Sequence, residues 1–264
     1  MINVFVTLAA VIAILAGQAT VPARATYVVN LFTTRAVRFQ NPDYSACTAA
    51  ATMVMLNTIY YSSNPAWSMT SDGRTDPEFV WKPDVTYERQ KSILKWERRN
   101  MTMPFWQKGS DVHGWRNALN YFGWGSLDAG MYTDQAYPTF DQAVKATVRS
   151  IALRNQPVGI LTWYGSHAQY VTGYSVTGQD PRTGSTDFTV NGVFLTDPLK
   201  WQGLANAYIT TRTWRWGGVA IAFRPFQQRD SILIDPIDGK YGWREWWNKY
   251  VIVASPVAAQ GLSR

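Results

Sequence analysis

The chain of 264 residues contains one cysteine, Cys47, and two histidines, His113 and His167. This small set excludes a zinc site built from several thiolates or several imidazoles. Nucleophilic catalysis stays open, because it needs only one thiol, one imidazole that moves a proton, and one group that orients the imidazole. The thiol lies in FQNPDYSACTAAATMVML, residues 39–56, where a polar loop becomes an apolar helix.

Cys47 lies two residues after Ser45, and Ser45 can cap a helix that is predicted to run to Tyr60. The positive end of a helix dipole and the free N–H groups of the first turn favour a thiolate over a thiol. The competing interpretation is structural, a small apolar side chain packed beside Ala49 and Ala50. Taken alone, the cysteine favours the structural interpretation.

The elements that must position these side chains fall into two groups. Helical patterns are predicted at 45–60, 85–99, 110–123 and 139–155. Runs typical of strands follow at 157–164, 168–176, 188–197, 216–224 and 250–255, with an earlier one within 27–38. Helices that come first and antiparallel strands that follow are typical of the α+β class, and the chain shows no repeat and no interdomain linker.

Two of these strands flank the loop 177–187. If they pair antiparallel, the loop lies at one end of the pair, and His167 and Asp197 both lie at the other end. Asp197 can then accept a hydrogen bond from Nδ1–H of His167, fix its tautomer and leave Nε2 facing a thiol. Cys47, His167 and Asp197 are therefore expected to form a triad, although each residue alone also fits a structural role.

Gln40, seven residues before Cys47, offers an amide that can join the backbone N–H of the nucleophile in an oxyanion hole. Alone, it is also an ordinary loop glutamine. Four segments in this order carry a resemblance to a known family: Gln40, CTAA (47–50), PVGILTWYGSHAQYVTGY (157–174) and VNGVFLTDPL (190–199). They resemble the papain-like cysteine peptidases, specifically the bacterial branch similar to the double-glycine leader peptidases that process bacteriocins.

The resemblance implies a papain-like fold, in which N-terminal helices carry the nucleophile and pack on a C-terminal antiparallel sheet. Gln40 would then be the oxyanion donor and Cys47 the nucleophile. His167 would act as general base and then acid, with Asp197 as the group that orients it. The resemblance implies no metal or cofactor, and it places His113 on a helix outside the site.

The N-terminus predicts the compartment. Residues 4–17, VFVTLAAVIAILAG, match the apolar core of a signal peptide and are short for a membrane span. Ala23-Arg24-Ala25 has the small-x-small pattern of a cleavage site, so residues 1–25 are predicted to be a signal peptide and residues 26–264 a single domain. An uncleaved membrane anchor is the alternative, because no Lys or Arg precedes the apolar run. The protein is thus expected to be secreted or at the cell surface.

The formal net charge is +7, but the basic residues are scattered among acidic ones. Without a basic stripe the chain is not expected to bind nucleic acid, whereas an anionic cell-wall surface remains a partner that the charge allows. The sequence therefore predicts an exported thiol hydrolase that acts on a peptide or protein substrate and forms an acyl-enzyme. Two alternatives stay open, namely transfer of the acyl group to an amine, and a non-catalytic module that binds polymers through its C-terminal tryptophans, Trp201, Trp214, Trp216, Trp243, Trp246 and Trp247.

Overall fold

The computed structural model describes residues 24–34, 36, 45–61, 86–102, 109–124, 132–199, 204–227 and 245–257. Most of the predicted signal peptide and Gln40 lie outside these ranges. The described helices are α1 (Cys47–Tyr61), α2 (Thr86–Arg99), α3 (Val112–Trp124), α4 (Phe140–Arg154) and α5 (Thr211–Trp216). The described strands are β1 (Thr26–Asn30), β2 (Thr133–Tyr137), β3 (Val158–Thr162), β4 (His167–Gly178), β5 (Phe188–Thr196), β6 (Ala207–Thr210) and β7 (Tyr250–Ala254).

The seven strands form one sheet in the order β2-β7-β3-β4-β5-β6, and β1 pairs with the part of β4 that extends past β3. Each pair of neighbouring strands is antiparallel. The last described strand, β7, lies between β2 and β3, inside the sheet. Three helices thus precede most of an antiparallel sheet, which confirms the predicted α+β class. Among the described residues, no helix has the length and apolar character needed to cross a membrane.

Apolar side chains fill both faces of the sheet. Helices α1, α2 and α3 pack on one face in a cluster that includes Val251 and Val253 of β7. Helix α4 packs on the other face in a cluster that includes Ile252 and Ala254. Successive residues of a strand point to opposite faces, so β7 contributes to both clusters. Each Val or Ile buried in this way stabilises the fold by about 1.5–3 kcal/mol.

Helix α1 is buried along almost its whole length, from Thr48 to Ile59. Its small residues allow this close packing against α2, α3 and β4. The first helical hydrogen bond runs from the N–H of Ala50 to the carbonyl of Ala46, 2.9 Å long. Ala46 therefore occupies the N-cap position and Cys47 is the first helical residue. The predicted cap, Ser45, lies one residue too early for that position.

One predicted strand is wrong. Residues 216–224 form no strand. The segment begins at the end of the short helix α5, which Thr210 caps by accepting a hydrogen bond from the N–H of Thr213 and which Gly217 follows. The N–H of Phe223 then bonds the carbonyl of Trp214 at 2.8 Å, which folds the segment back on α5. The predicted caps of two other helices agree with the structure: Asp111 begins α3, and Thr139 and Asn155 bound α4.

Candidate active site

The β4–β5 pair brings His167 and Asp197 together, as predicted. Tyr170 pairs with Thr196 at one end, and residues 179–187 connect the strands at the other end. His167 opens β4 and Asp197 directly follows β5. The Nε2 atom of His167 lies 2.9 and 3.0 Å from the two carboxylate oxygens of Asp197, across thirty residues of sequence. Both side chains are buried.

Cys47 completes the triad from a different layer of the fold. It is the first residue of α1, which packs against β4. Its half-buried sulfur is close enough to the ring of His167 to raise the pKa of that ring, and it is in no disulfide. Three of the four predicted site residues therefore meet, and the fourth, Gln40, lies outside the described residues.

The ring of His167 has the opposite orientation from the predicted one. Nε2–H, not Nδ1–H, bonds Asp197, so Nδ1 is the nitrogen available to Cys47. The register explains the difference: continued by one pair, it sets Asp197 opposite Gln169, two residues along from His167. Diagonal neighbours on a sheet are about 7–8 Å apart, compared with about 4.5–5.5 Å for direct partners. Only the ring nitrogen that is farther from the backbone reaches that distance.

The carboxylate of Asp197 has further hydrogen-bond partners besides His167. Its oxygens also accept a hydrogen bond from the Nε2 of Gln169 at 2.5 Å and one from the backbone N–H of Leu199 at 2.6 Å. Three donors around one buried carboxylate fix the plane of that carboxylate. Gln169 was missed by sequence reasoning. The available signal was its position two residues after His167, which places both side chains on one face of a strand.

The turn between β3 and β4 covers the pair. The ring of Trp163 lies against the ring of His167, with centroids 4.4 Å apart and planes tilted by 33°. Three successive residues of this turn have positive φ angles, namely Trp163 at 50°, Tyr164 at 57° and Gly165 at 102°. Such conformations are rare for bulky residues, and a Cβ on Gly165 would collide with the ring of Phe226. The packed surroundings therefore hold the turn, and Trp163 with it, against its own backbone preference.

His167 is strongly basic for an imidazole. Burial lowers its pKa, but the hydrogen bonds to Asp197 and Cys47 and the charges of both partners outweigh burial and raise the pKa from 6.5 to about 9. The ring is therefore an imidazolium at neutral pH. The charged ring lies between the carboxylate of Asp197 and the sulfur of Cys47.

His113 belongs to a separate polar cluster. Its Nδ1 lies 2.6 Å from the hydroxyl of Thr102, and its Nε2 lies 3.4 Å from the carboxylate of Asp134. Arg116 and the indole N–H of Trp246 donate to the two oxygens of the same carboxylate, at 2.6 and 3.3 Å. The cluster ties α3 to β2 and to the segment before β7. This agrees with the expectation that His113 is a helix residue outside the triad.

The carboxylate of Glu245 lies near this cluster, so that one ligand atom each of His113, Asp134 and Glu245 lie within 4.8 Å of one another. A metal ion would have to displace existing partners, because both oxygens of Asp134 already accept hydrogen bonds. Arg116 also places a positive charge 2.6 Å from Asp134. Hydrogen bonds and an ion pair within the described part of the chain thus already satisfy the carboxylate of Asp134.

The C-terminal tryptophans divide between core and surface. Trp214 and Trp246 are fully buried, whereas Trp216 is 68% exposed and lies under the guanidinium of Arg224. Trp247 packs against the core cluster, and Trp201 and Trp243 lie outside the described residues. Core packing therefore accounts for three of the four described tryptophans.

Comparison with protein-family models, with curated proteins and with solved structures gave no significant match to this chain. The candidate site rests on the residues of the chain and on their geometry.

Proposed function

We propose that the protein is a papain-like cysteine hydrolase that cleaves amide bonds of peptides or proteins. One observation carries this proposal: the single cysteine of the chain begins a helix and contacts a buried histidine, which a buried aspartate holds. A structural cysteine needs neither partner. Retention of all three groups in mutual contact is what nucleophilic catalysis requires.

In the first half of the reaction, the Cys47 thiolate attacks the amide carbonyl carbon and forms a C–S bond. The carbonyl oxygen becomes an oxyanion, which accepts a hydrogen bond from the backbone N–H of Cys47. That N–H lies in the first turn of α1 and has no acceptor within the helix. Gln40 is the proposed second donor. Nδ1–H of His167 then protonates the amine as the C–N bond breaks, which leaves a thioester and a neutral imidazole.

In the second half, a water molecule replaces the amine. Neutral His167 takes a proton from that water at Nδ1, and the oxygen attacks the thioester carbon. The C–S bond breaks, the carboxylic acid leaves, and the thiolate and imidazolium are restored. Asp197 holds the ring through both halves, since it accepts a hydrogen bond from Nε2 in either state of Nδ1.

The substrate is proposed to be a peptide or protein outside the cell, since the N-terminus predicts a secreted or cell-surface protein. Wall peptide is included in this class. Neither a metal nor a cofactor takes part in the steps described above.

Cys47→Ala tests the proposal. We expect it to abolish cleavage of a peptide library and to leave the circular dichroism spectrum and the thermal midpoint unchanged, because only a small half-buried group is removed. Thr186→Ala is the control, since it removes an exposed hydroxyl from the loop at the other end of the β4–β5 pair and should retain cleavage. Equal cleavage by Cys47→Ala, or no cleavage by the wild-type protein, would refute the hydrolase.

A further inference from the structure

Gln169 has an arrangement that stability alone does not explain. Its side chain is completely buried, and its Nε2 donates two hydrogen bonds, one to Asp197 at 2.5 Å and one to the carbonyl of Ala220 at 2.8 Å. Both partners are acceptors, so the amide orientation is fixed by chemistry. Its Oε1 is buried and finds no partner among the described residues. Such an oxygen costs about 1–3 kcal/mol, which an apolar side chain would avoid.

The two donated bonds connect Asp197 to the rest of the molecule. Asp197 accepts hydrogen bonds from His167, Gln169 and the backbone N–H of Leu199. The second acceptor of Gln169, the carbonyl of Ala220, belongs to the segment that follows α5. Gln169 therefore prevents the carboxylate from rotating about its Cβ–Cγ bond, because rotation would break a charge-assisted hydrogen bond.

We propose that Gln169 is a positioning residue of this site: its amide holds Asp197, and through Asp197 the ring of His167, so that Nδ1 faces Cys47. The inference rests on the proposed function for its catalytic meaning. Gln169 is proposed to set the orientation of the His167 ring and not to contact the substrate. The same hydrogen bond also draws negative charge from the carboxylate, so its removal makes Asp197 a stronger partner for the imidazolium and raises the pKa of His167.

The experiment is an NMR titration of the His167 ring in the wild-type protein, in Gln169→Leu and in Gln169→Glu. The chain has two histidines, so His113→Asn assigns the signals without further labelling. We expect Gln169→Leu to raise the pKa of His167 above that of the wild-type protein, because the leucine removes a donor to Asp197. Its kcat should fall about tenfold, as when an outer hydrogen bond that orients a reactive group is lost, and its KM should stay unchanged. In Gln169→Glu the buried carboxyl group beside Asp197 keeps its proton and donates in place of the amide, so this variant should stay close to the wild type.

Gln156 supplies the matched control. It is also a buried glutamine, and its Oε1 accepts a hydrogen bond from the hydroxyl of Ser255. Gln156→Leu and Gln156→Glu disturb a buried amide in the same way, but they should leave the titration of His167 and the value of kcat unchanged.

Three results would overturn the proposal. The first is a His167 titration in folded Gln169→Leu that matches the wild type. The second is an equal change in the Gln156 variants. The third is loss of the fold in both Gln169 variants but not in the Gln156 variants, which would assign Gln169 to stability. The titration needs no substrate, so a wild-type protein that cleaves nothing refutes the hydrolase and leaves this test intact.

Discussion

At the scale of single residues, Trp163 has a strained backbone conformation and shields His167. Its φ of 50° is unfavourable for a bulky side chain, yet the indole lies against His167 with ring centroids 4.4 Å apart. We infer that the indole shields one side of the His167 ring, and thereby its bond to Asp197, from water. In a less polar environment that bond is stronger, and the imidazolium that it stabilises is held in place.

Trp163→Ala should therefore lower kcat about tenfold, a part of what general acid–base catalysis contributes. The change admits water to the hydrogen bond, while the peptide-binding surface and KM should change little. Trp163→Phe keeps an aromatic ring and should retain most activity. Steady-state kinetics of both variants on one peptide substrate provide the measurement, and equal kcat values for Trp163→Ala and wild type would contradict the shielding role.

The triad could be predicted from sequence, because antiparallel pairing sets His167 and Asp197 at one end of two strands whatever their exact register. The orientation of the ring could not, since it depends on a diagonal offset that requires the register itself. Gln169 was hidden for the same reason. A glutamine in a strand is common, and its role becomes visible only when Asp197 lies opposite it.

At the scale of elements, a buried carboxyl group ties the helix of the nucleophile to its neighbour. Glu97 of α2 is fully buried and accepts hydrogen bonds from the hydroxyls of Thr48 and Thr52, at 2.6 and 3.1 Å. Burial raises the pKa of Glu97 from 4.5 to about 8, although the two hydroxyls act in the opposite direction. Thr48 directly follows Cys47, so this contact fixes the first turn of α1.

The raised pKa predicts a pH-dependent stability. Between pH 4.5 and about 8 the folded state holds a proton on Glu97 that the unfolded state has released. The free energy of unfolding should therefore fall as pH rises through this window. Glu97→Gln removes that contribution, so above pH 8 the variant should be more stable than wild type, by an amount on the order of a few kcal/mol.

Urea denaturation of wild type and Glu97→Gln across this range measures the effect. The difference between the two curves isolates Glu97, since the histidines titrate in both proteins. Glu245→Gln, the same change at an exposed position, is the control and should follow the wild-type curve. Parallel curves for wild type and Glu97→Gln would show that Glu97 is ionised in the folded protein.

Elements with strong local signals were predicted well. Helix α4 has a threonine cap, an apolar stripe and a left-handed Asn155 at its end, and its observed bounds lie within one residue of the predicted ones. Residues 216–224 were misassigned because their apolar residues pack against α5 without joining the sheet. Strand β2 is short, polar and half-buried, so tertiary pairing with β7 creates it rather than local propensity.

At the scale of the whole molecule, the first strand begins where the mature chain is predicted to begin. Thr26 is the first residue of β1 and pairs with Thr177 of β4. Cleavage after Ala25 would keep every residue of the strand and remove one hydrogen bond at its end, from the N–H of Gly178 to the carbonyl of Ala25. We therefore expect the exported protein to have a mass that corresponds to residues 26–264, measured by intact mass spectrometry of the secreted fraction.

A truncation series extends the same prediction. The chain 26–264 should unfold at the same temperature as the full chain, whereas 31–264 should unfold earlier, because it lacks β1 and leaves the edge of β4 unpaired. An exported form that retains residues 1–25 would instead support the membrane anchor. A midpoint for 26–264 as low as that of 31–264 would contradict the role assigned to β1.

The central claim is that His167 activates Cys47, and alkylation by iodoacetamide tests it most directly, since the chain has no other cysteine. At about pH 6, where ordinary thiols are protonated, the account predicts that wild-type Cys47 reacts faster than a free thiol in solution. His167→Ala removes the imidazolium and should bring the rate down to that of the free thiol. Equal alkylation rates of Cys47 in the wild-type and His167→Ala proteins would contradict the account.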